Sequence, residues 1–178
     1  MISLHTSTLI RAPIARVFDL SRSIEVHLLG NVHFGEQATA GTRTSGVPDG
    51  RSLSVGVVTG LIGMGEQVTW SARHFFIRQR LTSAITAFDR PRYFQDTMLR
   101  GAFRSMQHDH YFRSVPTPDG SPLTEMRDDF RFSAPLGPLG WISERLVLRR
   151  YMLNLLNERN AVIQQVAESN AWQQYLGP

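Results

Sequence analysis

The sequence predicts an α+β fold: an antiparallel seven-stranded sheet wrapped around a long C-terminal helix, with two short helices between strands 1 and 2. Two observations carry this reading. From Glu66 to Phe132, apolar and polar residues alternate in runs separated by Gly, Pro and Asp turns. That is the period-2 pattern of strands that bury one face. From Ser143 to Asn170 there is neither Gly nor Pro, and Leu148, Met152, Leu155, Arg159, Val162 and Val166 recur at three- and four-residue steps. Such spacing stacks side chains on one helical face. A half-apolar sheet must be covered, and about 28 helical residues span roughly 40 Å, enough to cover it.

Taken in order, Ile2, Leu4, Thr6, Thr8 and Ile10 alternate with Ser3, His5, Ser7 and Leu9 as a first strand. Pro13 halts it and suits the opening turn of a helix that carries Ile14, Val17, Phe18 and Leu20. Ser21 or Ser23 caps a second helix through Ile24, Val26, Leu28 and Leu29, which Gly30 ends. Phe34 to Ala40 reads as a short strand. Gly41 to Gly65 reads as a loop, either a lid over a cavity or an ordinary connection. Its glycines at 60, 63 and 65 form no dinucleotide fingerprint.

The strand signal then strengthens. Val68, Trp70, Ala72 and His74 share a face, and in the next strand Ile77, Leu81, Ile85 and Ala87 oppose Arg78, Arg80, Thr82 and Thr86. Asp89 to Pro91 is a turn. The inner faces of the last three strands are Phe94, Asp96, Met98 and Arg100; Met106, His108, His110 and Phe112; Met126, Asp128, Phe130 and Phe132. Arg127, Asp129 and Arg131 point outward with Arg78 and Arg80.

Composition narrows the function classes. At 178 residues the chain is read as one domain, 1–178, with a substantial core. No apolar run reaches the ~20 residues of a membrane span, and the N-terminus lacks a signal-peptide pattern. Without cysteine there are no disulfides, thiolate metal sites or Cys nucleophiles. A cytoplasmic location is expected. All 19 basic residues are arginine, which removes Schiff-base and P-loop lysine chemistry. The arginines are scattered rather than gathered into an aromatic-interleaved stripe, so no nucleic-acid partner is expected. No G-x-S-x-G elbow is present, which removes the usual serine-hydrolase signature.

Several local motifs recur along this pattern: I-x-A-P-x-x-x-V-F at Ile10 to Phe18, E-x-V-T-W-x-A-x-H-F at Glu66 to Phe75, and F-D-R-P at Phe88 to Pro91. F-x-D-x-M-x-x-G-x-F at Phe94 to Phe103, H-x-H-x-F at His108 to Phe112 and A-P-L-G-P-L-G at Ala134 to Gly140 follow. Together they resemble the START/Bet v 1-like superfamily (SRPBCC, helix-grip fold), in particular its bacterial SRPBCC-family-protein and polyketide cyclase/dehydrase-like branch. The resemblance implies a cavity between sheet and helix that holds a small hydrophobic molecule of lipid, quinone or polyketide type. It also implies cyclase/dehydrase-type chemistry as the alternative.

Turn positions fix the expected register. A reversal centred on Ala102 sets Asp96 opposite His108 and Phe94 opposite His110, and one near Asp119 sets His110 opposite Asp128. Opposed inner residues lie ~4.5–5.5 Å apart at Cβ, so Asp96, His108, His110 and Asp128 form a polar cluster inside an apolar space. Buried polar groups need partners. The cluster therefore either fixes strand register, orients a ligand, or supplies a His acid/base with a carboxylate orienter. His108-x-His110 also invites a metal, but the Glu that a cupin places shortly afterwards is missing. The reading accordingly carries no metal and no cofactor. The ligand-contacting candidates are Trp70, His74, Phe94, Met98, Met106, His108, His110, Phe112, Met126, Phe130, Leu148, Met152 and Leu155. Arg159, on the same helical face, is placed either to pair with Asp96 or Asp128 or to snorkel to the rim. A third reading is an interaction module without a ligand, forming a homodimer through a sheet edge or helix.

Overall fold

A computed structural model describes residues 1–30, 32, 35–42, 59–74, 77–134 and 148–177, with only the backbone of Thr42 and His74. Seven strands make one antiparallel sheet: β1 (Ile2–Ile10), β2 (Gln37–Thr42), β3 (Gln67–His74), β4 (Ile77–Asp89), β5 (Tyr93–Arg100), β6 (Ser105–Ser114) and β7 (Thr124–Ser133). Their order is β1-β7-β6-β5-β4-β3-β2, a meander that β1 joins by pairing with β7. Helices α1 (Ile14–Ser21) and α2 (Ile24–Gly30) follow β1. α3 (Arg149–Glu168) is the long C-terminal helix, followed by a 3-10 turn at Asn170–Trp172 and the short α4 (Gln173–Leu176).

The short helices form for local reasons. Pro13 is extended at φ −60° and stands just before α1, which buries Val17, Phe18 and Leu20. Of the two expected caps, Ser23 serves α2: its Oγ accepts from the Val26 amide at 3.3 Å. Gly30 ends α2 where it passes α3; a Cβ there would sit 3.1 Å from the Cα of Arg159.

The registers expected for β5, β6 and β7 are those observed: Asp96 faces His108, Phe94 faces His110 and His110 faces Asp128. Elsewhere the structure departs from expectation. β2 runs to Thr42, so Gly41 and Thr42 belong to the strand rather than the loop. Positions 43–58 and Phe34 lie outside the described residues. In β4 the register slips between Ile85 and Ala87, so Thr86 and Ala87 together oppose Gln95. This bulge reverses the parity: Phe88, not Ala87, joins the core beside Phe94. Ile77, at the tip of the β3–β4 hairpin, is exposed rather than inward.

α3 also differs from expectation. Positions 143–147 are outside the described residues, and the helix stops at Ser169, whose Oγ accepts from the Ala171 amide. Its buried face is Met152, Leu156, Arg159, Asn160, Ile163, Val166 and Ala167. That face is turned toward Leu156, Asn160 and Ile163, leaving Leu148, Leu155 and Val162 partly buried at its edge.

The core is in three parts. Phe18 anchors one, edge-on to Phe88, Phe94 and Phe112, with Ile163, Val166 and Ala167 of α3 above it. Leu4, Met106, Phe130, Phe132, Met152 and Leu156 form the second, and Ile24, Val68 and Trp70 the third. Each fully buried side chain of this size contributes about 1.5–3 kcal/mol. Residues from all three parts line a single space between sheet and helix.

Candidate functional site

That space is a cavity of about 290 Å³ with mainly apolar walls. Trp70, Phe94, Met106, Phe130, Leu148, Met152 and Leu155, all singled out in the sequence, line it. Met98, Phe112 and Met126 do not. Phe112 and Met126 are spent in the core around Phe18, and Met98 packs at the margin of the second core part. β3 carries His74 at its last position, and the side chain lies outside the described residues. Walls that were not anticipated include His27, which stacks on Trp70 at 4.1 Å and meets Glu36 at 3.1 Å.

One pole of the cavity is polar, and the strand registers build it. Asp96 on β5, His108 and His110 on β6 and Asp128 on β7 come together as expected. Asp128 lies beneath them and is fully buried. Its Oδ1 accepts from His108 Nε2 at 3.1 Å and lies 3.6 Å from Arg159 Nη1. Its Oδ2 accepts from Asn160 Nδ2 at 2.6 Å and from Thr6 Oγ1 at 3.2 Å. Arg159 is held in turn by donating to the Ser21 carbonyl at 2.9 Å. Asn160 is the member that sequence reasoning missed. Its signal was its position four residues after Leu156 and three before Ile163, where an apolar residue would be expected.

His110 lies between the two carboxylates, stacked on Phe94 at 4.1 Å. Its Nε2 donates to Asp96 Oδ2 at 2.9 Å. Its Nδ1 is 2.7 Å from Asp128 Oδ1, yet the approach is too oblique for a hydrogen bond, and this buried nitrogen has no aligned partner. The short distance marks proximity; the angle decides that no bond is made.

Electrostatics set the protonation states. Burial raises the Asp128 carboxyl, but the hydrogen bond from His108, the imidazole of His110 beside it and the charge around it hold its pKa well below 3.8. Burial acts likewise on Asp96, and the His110 hydrogen bond with the neighbouring imidazoles and Arg159 brings its pKa below 3.8. For His108, burial and the neighbouring His110 outweigh the two carboxylates and bring its pKa below 6.5. His108 is therefore neutral at pH 7. Because an ionised Asp128 can only accept, Nε2 of His108 carries the proton and Nδ1 keeps its lone pair.

That lone pair faces the cavity, 3.8 Å from Asp96 Oδ2, and no hydrogen-bond partner reaches it among the described residues. The Asp96 side chain is 21% accessible although protein surrounds it closely, and the accessible part faces the cavity. The pole thus offers two acceptors, a carboxylate oxygen and an imidazole nitrogen. It can receive a hydroxyl or ammonium donor, take a proton, or bind a cation.

No protein-family model and no curated protein matches the sequence. Solved structures do match. The protein TTHA0849 of Thermus thermophilus superposes with a TM-score of 0.65 at 12% identity, over 92% of this chain and 95% of its own. A START superfamily protein of Mycobacterium smegmatis gives a TM-score of 0.56 at 11% identity, over 93% and 97%. At these identities the likeness is one of fold. The chain has the START/Bet v 1-type helix-grip fold that its motifs suggested.

Proposed function

We propose that the protein binds a small, mainly apolar molecule of lipid, quinone or polyketide type between the sheet and α3. A hydroxyl or other donor of that molecule is directed at Asp96 and His108. The observation that carries this reading is the cavity itself: about 290 Å³, with mainly apolar walls. This lies at the lower edge of the ~300–1,000 Å³ usual for small-molecule sites. Trp70, Phe94, Met106, Phe130, Leu148, Met152 and Leu155 are its walls; Asp96, His108 and His110 are its polar end. The helix-grip fold supports the same reading, and no helix among the described residues is long and apolar enough to cross a membrane.

Titration with a fluorescent apolar dye, followed by displacement with lipids, quinones and polyketides and by native mass spectrometry, tests it. Saturable binding of one dye per chain, displaced by one of these classes, is expected. Binding that never saturates, or that survives changes to the cavity walls, overturns it.

The Asp128–His108 pair favours a second reading, a cyclase/dehydrase-type enzyme. Asp128 fixes the tautomer, and Nδ1 of His108 is the base presented to the cavity. Loss of turnover in His108→Asn with ligand binding retained would support it; unchanged turnover would end it.

A further inference from the structure

Three features of the polar pole are unaccounted for by binding an apolar molecule alone. Asp96, His108 and His110 each offer a ligand atom, and these atoms lie within 4.8 Å of one another. Asp96 Oδ2 is 2.9 Å from His110 Nε2 and 3.8 Å from His108 Nδ1. Metal–ligand bonds of about 2.0–2.2 Å place neighbouring donors roughly 3–4 Å apart. Secondly, among the described residues the guanidinium found beside Asp128 and Asp96 is that of Arg159, one cation against two carboxylates. Thirdly, Nδ1 of His110 is orphaned 2.7 Å from a carboxylate oxygen.

We propose that Asp96, His108 and His110 form a site for a divalent transition-metal ion whose remaining coordination positions open into the cavity. The orphaned nitrogen is the strongest support. When a cation takes Nε2 of His110, the ring proton moves to Nδ1, where Asp128 Oδ1 already waits. The oblique contact then becomes a charge-assisted hydrogen bond after a small ring rotation. His108 needs no such change, since its Nε2–H already donates to Asp128 and its Nδ1 is free. Asp128 thereby orients both imidazoles, as carboxylates behind metal-bound histidines do. Two imidazoles and a carboxylate select the zinc and iron class over magnesium or calcium, which prefer oxygen donors. Phe94 stacks on the His110 ring and Phe130 packs edge-on to that of His108, so apolar rings flank the site.

This proposal does not depend on the organic occupant of the cavity, and its test uses none. Tag-free protein freed of metal by chelation is titrated with Zn²⁺ by calorimetry, and with Co²⁺ by visible absorption. One Zn²⁺ per chain is expected, with a ligand-field spectrum of Co²⁺ bound by nitrogen and oxygen. His108→Gln, His110→Gln and Asp96→Asn should each weaken Zn²⁺ binding at least tenfold. Asp128→Asn should weaken it about 10–100-fold without touching the ion. No saturable uptake, or uptake unchanged in all three ligand variants, overturns the proposal. Should the variants fail to fold, ¹⁵N imidazole spectra of the wild-type protein decide. Zn²⁺ must leave His110 protonated at Nδ1 alone, and spectra indifferent to Zn²⁺ refute the site.

Discussion

Asp128 is a carboxylate with no surface open to solvent, and its stability rests on five neighbours: His108, His110, Asn160, Thr6 and Arg159. Removing one partner of a buried ionic set strands the others. Asp128→Ala should therefore cost about 3–5 kcal/mol, read as a lower denaturation midpoint in urea. The same residues give stability a pH dependence whose sign is fixed. The folded His108 has a pKa below 6.5, so as pH falls through 6.5 the unfolded chain takes up a proton that the folded chain refuses. Folded Asp96 and Asp128 sit below 3.8, so below that value the unfolded carboxylates are protonated first. In both windows the unfolded state binds more protons, and stability falls with acidification. Urea melts across pH should show a shallow decline starting near 6.5 and a steeper one below about 4. His108→Asn should remove the first limb and leave the second; a wild-type curve that is flat between pH 7 and 5 would contradict the buried neutral imidazole.

Elements differ in how far sequence determined them. β5, β6 and β7 are joined by short turns, so turn centres at Ala102 and Asp119 were enough to align Asp96, His108, His110 and Asp128 in register. β4 could not be followed the same way. Its bulge at Thr86 and Ala87 is a two-against-one mismatch with Gln95 that alternation alone does not announce. α3 was legible as a helix but not in its rotation: Asn160, polar in the buried face, disguised the edge that includes Leu156 and Ile163. Substitutions separate the two edges. Leu156→Ala removes a side chain 4% exposed between β1, β6 and β7 and should cost about 2–5 kcal/mol. Leu155→Ala, only partly buried on the cavity wall that Leu156 shares, should cost clearly less while still changing dye affinity. Where α2 passes α3, Gly30→Val drives its side chain onto the Arg159 backbone. Overpacking there should cost about 1–3 kcal/mol in urea melts.

At the scale of the molecule, the unexpected quantity is the space left open. Interiors are normally packed as densely as organic crystals, yet three core parts converge here around about 290 Å³ without filling it. Alternation along a strand says which residues point inward, but not whether the facing helix stands close enough to touch them. This is why Trp70 and Phe130 on the wall and Phe112 and Met126 in solid core looked alike in sequence. The open space makes a prediction of unusual sign. Ala72 is inward-facing on β3 and lines the cavity. Ala72→Leu adds three carbons, and at about 0.8 kcal/mol per buried CH₂, less about 0.5–1 kcal/mol of lost rotamer freedom, it should raise stability by roughly 1–2 kcal/mol. In a filled core the same change would lower it. The variant should also lose apolar dye binding, because the added side chain occupies the dye's volume. Greater stability with lost binding would mean that the protein keeps an energetically costly void for an occupant. Lower stability would mean that sheet and helix already meet at Ala72, and the cavity would have to be sought nearer the His108 pole.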